Sequence, residues 1–218
     1  MDCGEELDYP DFDIKVNVSR HLHDSHKLPF QEHVGKGPFG TWLGLTLPSE
    51  PARDLLQELN GLRRGNHSDS DHEDKGPQNQ KELRGRGEAH ITVLTPPEIH
   101  RVLRPAGLNM DRVHEIALAH GIQNATFTTR CLGRARVQPK QGKGMEEVYF
   151  LVVDSPDLVR IRWAVWEAYV QEAGGEPALF APEAYWPHVT VGYTLRDYFP
   201  EDGVWKGVNS CWAEVNEV

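Results

Sequence analysis

Cysteine is scarce in this sequence, which contains only Cys3, Cys131 and Cys211 among its 218 residues. Their odd number and wide spacing predict neither a disulfide framework nor a zinc site. Unpaired thiols are typical of a reducing compartment, so we expect an intracellular protein, either cytoplasmic or nuclear. The N-terminal stretch is acidic and lacks an apolar core, which argues against an ordinary signal peptide.

Long hydrophobic runs and an excess of positive charge are also missing. No run approaches the roughly 20 apolar residues that span a bilayer, so we expect no membrane association. The net charge of -10 at pH 7 argues against binding to duplex DNA, because that binding needs a basic face. A nucleotide or an RNA terminus needs only a local basic pocket. The chain is long enough to bury a core without a partner subunit, and we expect a monomer.

Hydrophobic periodicity predicts one folded domain behind an N-terminal extension. Residues 1–40 are polar and rich in turn-forming residues, and they are interpreted as an extension that partly packs on the body. Residues 41–218 are interpreted as a single domain. Residues 63–88 lose apolar periodicity, so we interpret them as a flexible loop inserted in that domain.

The predicted elements interleave strands with helices. Strand patterns occur at 41–47, 89–94, 125–137, 147–153 and 188–191, with a weaker one at 212–215. Helices are predicted to follow the capping residues Ser49, Thr95, Asn109 and Ser155. Pro105 is expected to end the second of these helices. Because some strands pair and others alternate with helices, the pattern indicates an α+β protein rather than a doubly wound parallel sheet.

Two short motifs share one pattern: residues 90–93 read His-Ile-Thr-Val and residues 188–191 read His-Val-Thr-Val. Side chains alternate between the faces of a strand, so each histidine shares a face with its threonine while the aliphatic residues face a core. If both strands border one cleft, four polar groups surround a common centre. These candidate catalytic residues are His90, Thr92, His188 and Thr190.

This set of side chains suits acid-base chemistry on a phosphate. One neutral imidazole can take a proton from a nucleophile while a protonated one gives a proton to a leaving oxygen. Threonine hydroxyls can donate to the non-bridging phosphate oxygens. These steps need no cofactor, and we expect none. A single tetrad of this kind is usually an ordinary half-exposed strand, and its repetition is what favours catalysis.

Both tetrads resemble those of the two-histidine (2H) phosphoesterase superfamily. That superfamily includes RNA ligase-like proteins of bacteria and archaea, plant and fungal cyclic phosphodiesterases, and the exonuclease that trims the 3′ end of the U-six RNA. The resemblance also rests on Pro187 and on the strand end at 45–48, and it spans about residues 41–195. Only the tetrads are specific, and the 63–88 stretch and the N-terminal extension are not part of the pattern.

The resemblance implies a bilobal α+β fold in which two antiparallel sheets surround a central cleft, with helices on the outside. It implies a metal-independent phosphodiesterase that hydrolyses a 2′,3′-cyclic phosphate on a nucleotide, a cyclic ribose phosphate or an RNA end, as in RNA processing or repair. Two alternatives are open: an exonuclease-like transesterification at RNA 3′ ends, and a non-catalytic module that binds a nucleotide or an RNA end. The sequence does not indicate which histidine is the base.

Five further residues are candidates for substrate binding. Arg130 and Arg134 share one face of the strand predicted at 125–137, where they either line the cleft and offset phosphate charge or form an ordinary solvated face. Tyr185, Trp186 and Tyr193 flank the second motif. These aromatic residues either stack a base or pack in the core.

Apparent metal and nucleotide motifs lack the necessary spacing or context. The segment 114–120 begins His-Glu, but Leu118 stands where a zinc-protease helix has its second histidine. The G-x-G-x-x-G match at 35–40 precedes a strand instead of opening a helix. Histidines grouped at 21–26 and 67–72 lie in loop-like sequence without fixed geometry. We therefore expect no metal site.

Overall fold

The computed structural model of the protein describes residues 12–35, 40–65, 81–139 and 144–218. The strands are β1 Lys15–Val18, β2 Leu43–Leu47, β3 Ala89–Leu94, β4 Thr128–Val137, β5 Glu146–Asp154, β6 His188–Tyr193 and β7 Cys211–Glu217. The helices are α1 Ser49–Gly65, α2 over 96–106, α3 Met110–Ala119 and α4 Pro156–Gln171, and a 3₁₀ helix spans Arg20–Lys27. Strands and helices interleave, which confirms the α+β class.

All seven strands belong to one sheet, in the order β1-β7-β4-β5-β6-β3-β2. Neighbouring strands are antiparallel except for β1 and β7, which are parallel. Two separate sheets were expected, but β5 and β6 pair directly and join the two halves. A register shift in β5 between Tyr149 and Phe150 lies at this junction, and irregularities of this kind bend a strand.

Strand β5 is central, as its run of apolar residues predicts, and all of it is buried except the terminal Asp154. The main core lies between the sheet and the helices: Leu55 and Leu59 of α1 and Ile161 and Val165 of α4 are buried there. In the described ranges, no helix is both long and apolar enough to cross a bilayer.

Thr95 begins α2 with the predicted capping box, in which its N–H donates to the Glu98 carboxylate at 2.7 Å. Pro105 was expected to end this helix, yet the helix continues to Ala106. The reason is a π-helical stretch, Ile99–Leu103, just before the proline. This wider turn accommodates the proline ring, which would clash with the carbonyl four residues earlier in an ordinary α-helix.

The predicted N-terminal extension contributes to the sheet. β1 pairs with β7, and Val16, Val18 and Leu22 are essentially inaccessible to solvent. The alternation of apolar and polar residues in β1 explains this burial, because every second side chain of a strand faces the core. Residues 1–11 lie outside the described part of the chain, and the boundary at residue 40 stays a prediction.

Of the loop predicted at 63–88, the structure describes only the two ends, 63–65 and 81–88. Helix α1 extends to Gly65, and residues 66–80 lie outside the described residues. After them, Leu83 is buried, and Arg84 exchanges two backbone hydrogen bonds with Tyr193, at 2.9 and 3.0 Å. Leu83 is a single buried apolar residue in this segment. A search for hydrophobic periodicity over a long window does not detect one isolated residue.

Cys131 of β4 and Cys211 of β7 form a disulfide, with their Cα atoms 5.7 Å apart. The expectation that the cysteines stay unpaired is therefore wrong. The two residues are 80 positions apart, but β4 and β7 are neighbours in the sheet. Cys3 lies outside the described residues. Because the intracellular location was inferred from free thiols, it stays a prediction.

Candidate active site

The two His-x-Thr motifs occupy neighbouring antiparallel strands, β3 and β6, in which Ile91 pairs with Val189. One residue to either side of this pair, the register places each histidine opposite the threonine of the other motif. Ile91 and Val189 themselves are fully buried, so the histidines and threonines share the opposite face. The register therefore gathers the four groups around a local twofold axis.

A backbone contact determines the tautomer of His188. Its Nδ1 lies 2.8 Å from the carbonyl oxygen of Trp186. A carbonyl oxygen only accepts, so Nδ1 carries the proton and Nε2 has the lone pair. His188 lines the cleft, and it can therefore accept a proton there.

His90 has different surroundings. It is 9% exposed, and its ring packs against that of Trp42 with 4.3 Å between centroids. Its Nδ1 lies 3.7 Å from the Glu88 carboxylate. Trp42 also stacks on His33 at 3.6 Å, and a side chain at Gly44 would clash with the indole. Gly44 therefore lets Trp42 lie against the sheet next to His90.

Thr190 is part of a buried charged network. Its hydroxyl donates to Asp197 Oδ2 at 3.0 Å and accepts from Lys206 Nζ at 3.2 Å. Lys206 Nζ also lies 2.5 Å from Asp197 Oδ1, which accepts the N–H of Tyr198 at 2.9 Å. Asp197 and Lys206 are 7% and 4% exposed. Burying an ion pair is costly, so a pair next to a catalytic candidate indicates a functional role.

Arg86 adds a second cation to the cleft. Its Nη1 lies 3.6 Å from Asp197 Oδ2, and its side chain is partly exposed. Arg86, Lys206 and Asp197 all line the same cavity as both histidines. Guanidinium and ammonium groups beside threonine hydroxyls suit a phosphate, whose oxygens accept charge-assisted hydrogen bonds.

The electrostatics of the cleft keep both histidines neutral. Burial lowers the pKa of His90 and that of His188 to about 3 each. Positive neighbours lower these pKa values further, chiefly Arg86 for His90 and Lys206 for His188, while Asp197 acts in the opposite direction. At pH 7 one imidazole must take up a proton before it can act as an acid.

Burial opposes the ionisation of Asp197 and of Lys206, but each stabilises the charge of the other. Burial would raise the pKa of Asp197, yet Lys206 holds it below its usual value. Burial lowers the pKa of Lys206, and Asp197 offsets part of that effect. The two residues therefore form a charged pair at neutral pH.

The cleft has a volume of about 520 Å³, within the range typical of small-ligand sites. One wall consists of Trp186 and Trp205, whose rings meet edge to face at 4.8 Å. These indoles are 44% and 53% exposed, so they offer apolar surface to a planar ligand. Tyr185 also lines the cleft, where its hydroxyl donates to the Thr92 carbonyl at 3.0 Å.

Arg162 of α4 holds the segment that precedes β6. It is 1% exposed and donates to the carbonyl oxygens of Val93 and Pro182 at 2.7 and 2.8 Å. It also forms an ion pair with Glu98 at 2.8 Å, and its guanidinium lies 4.8 Å from the centroid of the Tyr185 ring. Arg162 thus joins α2, β3 and the aromatic segment into one wall.

Three of the predicted substrate-binding residues do not line this cavity, although Arg130 lines a neighbouring pocket that shares Trp186 and Lys206 with it. Arg130 occupies a bulge in β4 and pairs with Asp154 at 2.7 Å. Arg134 stacks on Trp212, and Tyr193 bonds to the 81–88 segment through its backbone. Among the described residues that line the cavity, none of the three is found. The bulge breaks the alternation that predicted a common face for the two arginines, whether in the cleft or in solvent.

Three residues of the site were not predicted from the sequence: Arg86, Asp197 and Lys206. These residues lie outside the strands and helices, where no periodic pattern marks a buried or inward-facing side chain. The available signal was position: Arg86 stands four residues before His90, and Asp197 stands seven after Thr190. Lys206 has no comparable signal.

In the part of the chain that the structure describes, no group of three or more His, Cys, Asp or Glu residues is placed to hold a metal ion. His21 bonds to Asp24 at 3.0 Å and His23 to Glu217 at 2.9 Å, so these two histidines have separate partners. The histidines at 67–72 lie outside the described residues.

A known protein family matches most of the chain. The family described as "Swiss Army Knife, 2H phosphoesterase domain" matches residues 60–199. Comparisons with curated proteins and with solved structures find no match. The matched range covers more than half of the chain and contains both His-x-Thr motifs, Arg86 and Asp197. The chain therefore belongs to the 2H phosphoesterase superfamily, with its domain of the Swiss Army Knife type.

Proposed function

We propose that the protein is a metal-independent phosphodiesterase that hydrolyses a 2′,3′-cyclic phosphate on a nucleotide, a cyclic ribose phosphate or an RNA end. Membership of the 2H family supports a phosphoesterase of the phosphoric diester hydrolase class. The observation that carries the proposal is the register of β3 and β6, which sets each histidine opposite the threonine of the other motif. That arrangement provides a base, an acid and two hydroxyls around one phosphorus atom.

In this proposal His188 is the base. Its Nε2 takes a proton from water, whose oxygen attacks phosphorus. The bond from phosphorus to one ribose oxygen breaks, and that oxygen receives a proton from His90. The contact between His188 Nδ1 and the Trp186 carbonyl supports this assignment, because it leaves Nε2 with the lone pair that a base needs. His90 must take up a proton before it can act as the acid. The product is a terminal phosphomonoester.

Cationic and aromatic groups support a nucleotide-like substrate. Lys206 and Arg86 can offset the negative charge of the phosphate, and the threonine hydroxyls can donate to its oxygens. Trp186 and Trp205 can stack one base, an interaction worth about 1–3 kcal/mol in single-strand recognition.

The test is incubation with the four nucleoside 2′,3′-cyclic monophosphates and a short RNA with a cyclic end, in excess chelator, with separation of 2′- from 3′-phosphate products. We expect turnover, and a loss of about 100- to 10,000-fold in kcat for His90→Ala and for His188→Ala. The exposed His26 provides the control, and His26→Ala should keep wild-type turnover.

Each other outcome has a distinct meaning. Full activity in either active-site variant would show that the proposed mechanism is wrong. Appearance of a new cyclic phosphate at a shortened RNA end would indicate the transesterification alternative. Saturable binding without any product would indicate a binding module.

A further inference from the structure

Asp197 is an unexpected residue for a phosphate site, because its carboxylate would repel a phosphate anion. It is nevertheless buried in the cleft wall, and Thr190 of the second motif donates to it. Burying a carboxylate costs free energy unless several partners offset the loss of hydration. A carboxylate beside the catalytic groups is therefore expected to have a function.

The contacts of Asp197 tie it to the two cations of the site. Oδ1 accepts from Lys206 Nζ at 2.5 Å, and Oδ2 lies 3.6 Å from Arg86 Nη1. Since both histidines are neutral at pH 7, Arg86, Lys206 and Asp197 together leave one net positive charge beside the catalytic groups.

The other charged residues that line the cavity do not change this balance at its centre. Glu98 pairs with the buried Arg162, and Asp202 pairs with Arg196. Glu201 and Arg101 also line the cavity, but both are exposed, so water screens their charges.

A single positive charge matches a phosphodiester. A phosphodiester carries one negative charge at neutral pH, whereas a phosphomonoester carries about −1.5 to −2 because its second pKa is near 6. The hydrolysis proposed above converts the first into the second, and a site with two uncompensated cations would favour its own product.

We propose that Asp197 makes the site selective for a singly charged phosphodiester over a doubly charged phosphomonoester, and so promotes release of the product. This inference rests on the proposed function. Asp197 acts by neutralising one of two cations and needs no contact with the reacting atoms. It is therefore a specificity-determining residue.

The test measures binding rather than turnover. By calorimetry at pH 8, we would titrate the wild type and Asp197→Asn with adenosine 3′-monophosphate, a dianion, and with its 3′-methyl ester, a monoanion. In the variant we expect the monoester Kd to fall about tenfold more than the Kd of the methyl ester, because Lys206 then has no carboxylate partner, and a bound dianion replaces that missing negative charge better than a monoanion does. An unchanged ratio of the two Kd values would overturn the inference.

A matched control removes the same charge from the same cavity wall. In Glu201→Gln an exposed carboxylate is lost, so the ratio of the two Kd values should stay as in the wild type. An equal change in both variants would mean that net charge, and not the position of Asp197, sets the preference.

A second measurement needs no variant and remains available if Asp197→Asn does not fold. Between pH 8 and 5.5 the monoester becomes a monoanion, so its Kd for the wild type should fall while that of the methyl ester stays constant. A monoester Kd that rises over this range would contradict the inference. If the wild type binds neither ligand, the proposed nucleotide phosphoesterase function fails with it; if it binds both with the opposite preference, only the inference on Asp197 fails.

Discussion

The two histidines differ in the contacts of their Nδ1 atoms. His188 donates through Nδ1 to the Trp186 carbonyl, and a peptide carbonyl favours the neutral imidazole with Nε2 as acceptor. Nδ1 of His90 lies 3.7 Å from the Glu88 carboxylate and has no hydrogen-bond partner among the described residues. A local twofold axis thus relates two histidines with different Nδ1 contacts, although burial lowers the pKa of each to about 3.

The leaving group of the substrate can separate these two roles. A p-nitrophenyl ester leaves without needing a proton, whereas a ribose oxygen needs one. We expect His90→Ala to lose at least about 100-fold less activity on the p-nitrophenyl ester of a nucleoside 3′-phosphate than on a cyclic phosphate. His188→Ala should lose activity on both substrates alike. If the p-nitrophenyl ester instead restores the kcat/KM of His188→Ala and not that of His90→Ala, the roles of base and acid are reversed.

At the scale of elements, the sequence predicted the strands and helices whose formation depends on nearby residues. Alternation of apolar and polar residues marks β3 and β6, and capping residues mark the starts of α2 and α3. Strand β1 was not predicted from the sequence because it is short and its partner β7 is distant in sequence. The acidic and basic residues that face Thr190 were not predicted because they lie in irregular segments. The course of those segments depends on packing across the sheet.

Helix α4 supplies a prediction about the wall of the cleft. Replacing Arg162 by Met removes a buried guanidinium and with it the hydrogen bonds that it donates to the Pro182 and Val93 carbonyl oxygens and to Glu98 Oε1. We expect a loss of about 3–5 kcal/mol in the free energy of unfolding, measured by urea denaturation. Arg160 is exposed on the same helix, and Arg160→Met should cost less than about 1 kcal/mol. Equal losses in the two variants would contradict the structural role of Arg162.

At the scale of the whole molecule, buried histidines make stability depend on pH. Burial lowers the pKa of His33 to about 4, and His90 and His188 are lower still, at about 3. Each takes up a proton near pH 6.5 once unfolded, so the unfolded chain binds more protons below that pH. The contribution of these histidines to the free energy of unfolding is therefore fully present above pH 6.5 and is lost as the pH falls towards 4.

The contribution of one histidine can be isolated in urea unfolding curves between pH 7 and 5, where few carboxylates titrate. Each buried histidine contributes up to about 1.4 kcal/mol per pH unit to the slope of unfolding free energy against pH. His33→Phe should therefore reduce that slope, while the exposed His26→Phe should not. A slope that is the same in the wild type and in His33→Phe would show that His33 titrates normally in the folded protein.

The disulfide predicts a dependence on redox state. Linking residues 80 positions apart restricts the unfolded chain, so reduction should lower the free energy of unfolding by about 4 kcal/mol. In denaturant without reductant, alkylation followed by mass spectrometry should modify one of the three cysteines, and after reduction all three. Modification of all three before reduction would show that Cys131 and Cys211 are unpaired in the isolated protein.

The pairing of β1 with β7 also bears on protein synthesis. Lys15 lies opposite Glu214, so a ribosome makes the first strand of the sheet long before the strand beside which it docks. Lys206 likewise emerges after both histidine motifs. Until then, Asp197 has no ammonium partner and β1 has no edge to join. The sheet and the charged network at Thr190 are therefore completed only when the last part of the chain has been synthesised.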